Sequence, residues 1–316
     1  MADTLGTDSS KKRRSYASVT SATAVGTKKK TRKAKPKPSA AEVARGATEW
    51  KVDEFYSWSV ETQTSKLPFC LAEGISLHQF EKMIEHREKT GRSSQTGGCF
   101  KWEFRAGKAW IYELPHRCHE EAAGQLAQEI VLGLGAHGRD VKIPPSPRMA
   151  DSNGALSAEP DSSVEVRGGG RPGPGSPDRS DAQGNRFSNI VFEVAYNESE
   201  RHVRAKAQAW LLTAPTQPQY GVQQGIVVKI GTNVRVSGHR TMKAFRYERA
   251  NLGNPVQEIE FGHDGPNGGA TAAGIPAMQI NVPTVSIYHP LAVPDGLGPS
   301  IPIDLFEIRQ VIEDSF

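Results

Sequence analysis

The stretch NIVFEVAYNESERHVRAKAQAWLL, Asn189 to Leu212, constrains the fold more than any other part of the chain. Ile190, Val191, Phe192 and Val194 are apolar at odd and even positions alike, the pattern of a central strand covered on both faces. A helix follows from Ser199 to about Leu212. Asn197 and Glu200 have capping-box spacing before it, and Val203, Ala207, Trp210 and Leu211 recur along one of its faces. Helices packed on a buried sheet give an α/β fold. Glu193 sits in the middle of this strand. An ionised carboxylate there is costly unless a metal or a cation pairs with it.

The flanking sequence supplies the other layers. Leu77, Phe80, Met83 and Ile84 predict a helix closing at Gly91. CFKWEF and KAWIYELP read as two strands around a turn at Ala106-Gly107. HRCHEEAAGQLAQEIVLGLG predicts a helix with Ala123, Leu126, Ala127, Ile130 and Leu134 as its stripe. GALSAEPDSSVEVRG reads as a strand interrupted by Pro160, and GIVVKI as another short buried strand. Residues 231–262 read as further strands, and IPIDLFEIRQVIEDSF as a strand leading into a short helix. The Gly/Pro-rich segment 168–188 predicts an exposed, flexible loop, and GHDGPNGGATAAGIP a second loose loop. The expected architecture is a mixed central sheet flanked by helices over residues 48–316.

Residues 1–47 carry almost no large apolar side chains, so they are expected to form a disordered arm. Residues 1–38 hold eleven Lys/Arg against two Asp, a net of +9, which leaves −5 for the remainder of a chain whose total is +4. The clusters KKRR and KKKTRKAKPK, between Lys11 and Lys37, resemble nuclear localisation signals. Expected partners are a nucleic acid and a nuclear import receptor, and the expected place is the nucleus, otherwise the cytoplasm. No apolar run reaches the roughly 18 residues of a membrane span, and no apolar signal-peptide core is present. The cysteines Cys70, Cys99 and Cys118 are widely spaced and odd in number, which suits a reducing compartment.

Four residues on or beside apolar elements point to chemistry. Glu120 lies three, seven and ten residues before Ala123, Ala127 and Ile130, spacings that turn it toward the core side of its helix. Its neighbours His119 and Glu121 are the alternatives for that position. Asp161 follows Pro160, Glu193 is mid-strand, and Lys206 shares a helix face with Val203 and Trp210. Two acids from adjacent strands can converge on a hard ion such as Mg²⁺, which polarises a phosphate and helps deprotonate water. A nearby lysine positions that water or stabilises charge on the phosphorane. Asp178 and Asp295 also follow a proline but lie among Gly and Pro without a strand pattern. His116, Cys118 and His119 lack the spacing and partner ligands of a zinc site.

Read in order, ELPHRCHEEA, EPD, FEVAYNES, VRAKAQAWLL and GIVVKI resemble the PD-(D/E)XK nuclease superfamily, with the restriction-endonuclease-like fold. The resemblance is closer to the fungal-type restriction-endonuclease-domain proteins, and it spans roughly Phe80 to Ile230. It implies a DNA endonuclease using Mg²⁺ or Mn²⁺. Asp161 and Glu193 match the metal ligands, and Glu120 matches a helical acid that holds metal through water. The pattern departs at Ala195, where a lysine is expected two residues after Glu193. Lys206, on the following helix, is the substitute, with Arg204 and Lys229 ranked lower.

Two other readings fit the same residues: a catalytically inactive nucleic-acid or protein-binding module on a decayed nuclease fold, and a structural ion pair between Glu193 and Lys206. If the arm adds phosphate contacts, raising salt weakens DNA binding by the full chain more steeply than binding by a chain beginning at Thr48. Equal slopes would remove the arm from the binding surface.

Overall fold

In the computed structural model the predicted strand spans Ile190–Ala195, and all six of its residues are buried. The structure describes residues 67–89, 101–113, 116–144, 149–150, 156–181, 183–234 and 237–316. The basic arm 1–47, the start of order near Trp50, Gly91 and Cys99 lie outside them. In chain order the elements are β1 (Phe69–Glu73), α1 (Leu77–Lys89), β2 (Lys101–Arg105), β3 (Lys108–Glu113), α2 (Arg117–Gly133), β4 (Val141–Lys142), β5 (Met149–Ala150), β6 (Leu156–Ala158) and β7 (Ser162–Val166). There follow β8 (Ile190–Ala195), α3 (Glu200–Leu211), β9 (Gln224–Val234), β10 (Arg240–Glu248), β11 (Gln257–Glu260), β12 (Gln279–Pro283), α4 (Thr284–Tyr288), β13 (Ser300–Asp304) and α5 (Leu305–Asp314).

The central sheet has the order β11-β10-β9-β8-β7-β4. It is mixed: β8 and β9 are parallel, and the other pairs are antiparallel. A parallel pair needs a crossover, which α3 supplies. Ile190, Phe192 and Val194 pack with the stripes of α2 and α5 on one face. Val191 and Ala195 pack with Val203, Ala207, Trp210 and Leu211 of α3 on the other. This is the helix-flanked mixed sheet that the sequence predicts. The helix start differs in detail, because the cap of α3 is Ser199, whose Oγ accepts from His202 N, and not Asn197.

A second sheet, β1-β3-β2-β6-β5, was not foreseen. Phe80 and Ile84 of α1 pack on it with Trp102, Phe104 and Ile111. Its β2–β3 turn places both Ala106 and Gly107 at positive φ, as a two-residue hairpin requires. The strand read through Pro160 is really two strands. β6 pairs with β2 and β5, whereas β7 pairs with β8 and β4. Pro160 has no N–H to give a ladder, and the chain changes sheets there. Asp161 therefore stands at the junction of the two sheets. β12 and β13 form a small third sheet. No helix among the described residues is long and apolar enough to cross a membrane.

The segment 168–188 has no helix or strand among its described residues. As its composition predicts, Gly168, Arg171, Pro174, Gly175 and Pro177 are exposed, but most of the described residues from Asp178 on are at least partly buried. Asp178 is fully buried, accepting from Thr216 N at 2.9 Å and from Thr216 Oγ1. Arg186 is buried and donates to the carbonyls of Gly169, Phe187, Gln219 and His289. The first part of the second loop, 262–276, is tied down in a similar way, while residues 271–274 are exposed. Arg309 of α5 is fully buried and donates to Ala270 O at 2.6 Å, Phe261 O at 3.4 Å and Gly268 O at 3.5 Å. Truncating such a donor strands buried carbonyls. Arg309→Met is expected to lower stability to urea by roughly 2–4 kcal/mol, with Arg309→Lys recovering less than half. Stability unchanged by Arg309→Met would mean that those carbonyls find other donors.

Candidate active site

Glu193 faces α3 from the middle of β8. Its Oε2 accepts from Lys206 Nζ at 2.7 Å and its Oε1 from Trp210 Nε1 at 2.5 Å. Lys206 and Trp210 are four residues apart, so they lie one above the other on the helix. Glu193 is 1% exposed and Lys206 6%, so this pair is screened little by solvent. Burial alone would lower the ammonium's pKa. The charges of Glu193, Glu198 and Glu103 outweigh that burial and raise it well above the usual lysine range.

Asp161 is the other half of the site. Its Oδ2 accepts from Val194 N and lies 2.8 Å from His119 Nε2, while its Oδ1 forms an ion pair with Lys101. Lys101 Nζ is also 3.1 Å from His119 Nε2. The expectation that Glu120 points to the core is corrected here. The His119 side chain is 0% exposed and the Glu120 side chain 57%. Glu120 instead backs the histidine, with Oε1 3.2 Å from Nδ1. That hydrogen bond, and the histidine's nearby charge, hold the Glu120 carboxyl below its usual range against the opposing effect of burial.

A third group joins these two. Glu103 of β2 and Glu198 before α3 are both buried. His202 Nε2 lies 3.4 Å from Glu103 Oε2 and 3.0 Å from Glu198 Oε1. The His202 ring stacks on Tyr112 at 3.8 Å. Burial first, and then the charge of Glu103, push the Tyr112 hydroxyl above its usual range. His119 is one of the two alternatives that the sequence offers for Glu120, whereas sequence reasoning missed Lys101, Glu103, Glu198 and His202. The alternation of Lys101, Glu103 and Arg105 with Trp102 and Phe104 marked a strand but gave no hint of what its polar face meets.

Two buried ion pairs thus neighbour each other, Asp161 with Lys101 and Glu193 with Lys206, and the charges of Glu103 and Glu198 also act on Lys206. Glu103 Oε1 is closed off from solvent and accepts no hydrogen bond. That orphaned oxygen fits a hard divalent cation, which takes carboxylate oxygens. The Asp161 and Glu193 oxygens already face protein donors, so an ion would draw them from flexible lysine side chains. The lower-ranked substitutes for the missing lysine lie elsewhere. Lys229 Nζ donates to Tyr196 O at 2.6 Å, and Arg204 donates to Tyr247 Oη and Glu200. At Ala195 a small side chain is buried against α3.

Removing one partner of a buried pair leaves an unmatched charge. Lys206→Met is expected to cost about 3–5 kcal/mol in urea unfolding, most of it recovered in the double variant with Glu193→Leu. A cost near zero for Lys206→Met would show that Glu193 has another counter-charge.

No family model matches the chain, and no curated protein matches it. Among solved structures it is similar to one described as "a putative nuclease belonging to DUF820" from Anabaena variabilis, with 15% identity, a TM-score of 0.41, and 75% of this chain and 99% of that one covered. The α/β architecture stands on the sheet order and helix placement above, not on this likeness.

Proposed function

We propose that the protein is a metal-dependent endonuclease that hydrolyses DNA phosphodiester bonds. The observation that carries this reading is a pair of buried carboxylates on adjoining segments of the central sheet, each with its own lysine, Asp161 with Lys101 and Glu193 with Lys206. Asp161 and Glu193 would hold Mg²⁺ or Mn²⁺, with Glu103 as a further carboxylate. The ion would polarise the phosphate and make bound water more acidic. Glu120 enters only indirectly, by orienting His119 beside Asp161.

The protein's own groups have separate tasks. Lys206 holds the Glu193 carboxylate in place. Beside the reacting phosphate it orients the attacking water or offsets charge on the phosphorane oxygens. The Lys101 side chain is 18% exposed against 7% for Lys206, so Lys101 is the ammonium more open to an incoming phosphate. The basic arm adds sequence-independent affinity for DNA and a surface for a nuclear import receptor, placing the protein in the nucleus.

A second reading, a binding module on a decayed nuclease fold, is favoured by Ala195 and by the protein donors already on the Asp161 and Glu193 oxygens. Two measurements separate the readings. With Mg²⁺ or Mn²⁺ the wild type is expected to nick or linearise plasmid DNA, and Glu193→Ala and Lys206→Ala to lose at least about 100-fold in rate. Millimolar Mg²⁺ is expected to raise the melting temperature, and Asp161→Ala to abolish that gain. Equal inertness of wild type and variants, with no metal-dependent stabilisation, would establish the module instead.

A further inference from the structure

Outside the acidic cluster, three metal-ligating side chains meet where separate segments come together. His239 lies between β9 and β10, His263 follows β11, and Glu313 is in the last turn of α5. Their ligand atoms all lie within 4.8 Å of one another, the one such group among the described residues. His263 Nε2 is 2.8 Å from Glu313 Oε1 and 3.1 Å from Oε2. Glu313 Oε1 is shut off from solvent yet takes no well-directed hydrogen bond. The His239 and His263 rings are 4.1 Å apart.

The backbone around the group is held by contacts that need no ion. Ser237 Oγ donates to Asp264 Oδ2 at 2.6 Å, tying the hairpin to the segment after β11. The Arg240 guanidinium lies over the Phe316 ring at 4.1 Å, tying the hairpin to the chain end beyond α5. A ligand set on such anchored backbone is partly preorganised. Metal–ligand bonds of about 2.1 Å in a tetrahedron set ligand atoms about 3.4 Å apart. Closure on an ion therefore needs side-chain movements of only about 1 Å.

We propose that His239, His263 and Glu313 bind a divalent transition-metal ion, Zn²⁺ above all, which clamps the β9–β10 hairpin to the last turn of α5. Two imidazoles select Zn²⁺ over Mg²⁺, which prefers an all-oxygen shell. Two histidines and one carboxylate leave a fourth position for water. The site is independent of the proposed nuclease chemistry and differs from it in metal preference.

The test is calorimetric titration of the full chain with Zn²⁺ in excess Mg²⁺. One Zn²⁺ per chain is expected for wild type and equally for Glu193→Gln. His263→Ala and His239→Ala should each weaken binding by more than about 100-fold, beyond the roughly 10–100-fold that losing an outer hydrogen-bond partner costs. His239 is exposed, so its replacement leaves the fold intact and decides the matter even if His263→Ala misfolds. Zinc affinity unchanged in His239→Ala, or no zinc binding by wild type, would overturn the site and leave His263 and Glu313 as a surface ion pair.

Discussion

The contact between Glu193 and the Lys206–Trp210 pair is the constraint on which the rest of the structure depends. A strand buried on both faces tolerates one carboxylate only if the layer above it supplies matching donors. That requirement fixes the rotation of α3 over the sheet, because Lys206 and Trp210 must both point down. It also fixes strand register. Slipping β8 by one residue would send Glu193 to the opposite face, among the apolar side chains of α2 and α5. The pair is weak as a source of net stability, since desolvation offsets its attraction. Its effect is to make one arrangement of strand, helix and following strand far better than its neighbours.

The sequence was most legible where periodicity and burial coincide. β8 and α3, the stripe of α2, the β2–β3 hairpin and the closing strand and helix all carry their pattern locally, and the structure reproduces them within a few residues. Asp161, Glu193 and Lys206 were legible too, since each is a charged residue on or beside an apolar pattern. The partners of Asp161 were not. Lys101 belongs to a different sheet, and strand alternation reveals which face a residue occupies but not what lies opposite. The misreading of Glu120 has a geometric cause. The buried face of α2 includes Cys118, Ala122 and Leu126 as well as Ala123, Ala127 and Ile130. Its centre is therefore rotated toward His119. Counting from Ala123, Ala127 and Ile130, without Cys118 and Ala122, placed it one position too far along.

Pro160 was visible as a break in a strand, but its effect was not. It hands the chain from one sheet to another, and so places the first residue after it between the hairpin that bears Lys101 and Glu103 and the helix that bears His119. The catalytic proposal depends on that transfer as much as on any single acid. A continuous strand would have kept Asp161 within one sheet, without the polar face of β2 against it.

The two Gly/Pro-rich segments show how the same logic extends to regions without helix or strand. Each is organised by one buried guanidinium, Arg186 for the first and Arg309 for the second, that gathers carbonyls from several points along the backbone. Loops ordinarily absorb insertions and deletions at little cost. These two have lost that freedom, because adding or removing a residue would shift the carbonyls out of reach of a planar fork with a fixed set of donors. Over evolutionary time their lengths should drift less than their composition does, which is the reverse of what low-complexity sequence normally allows.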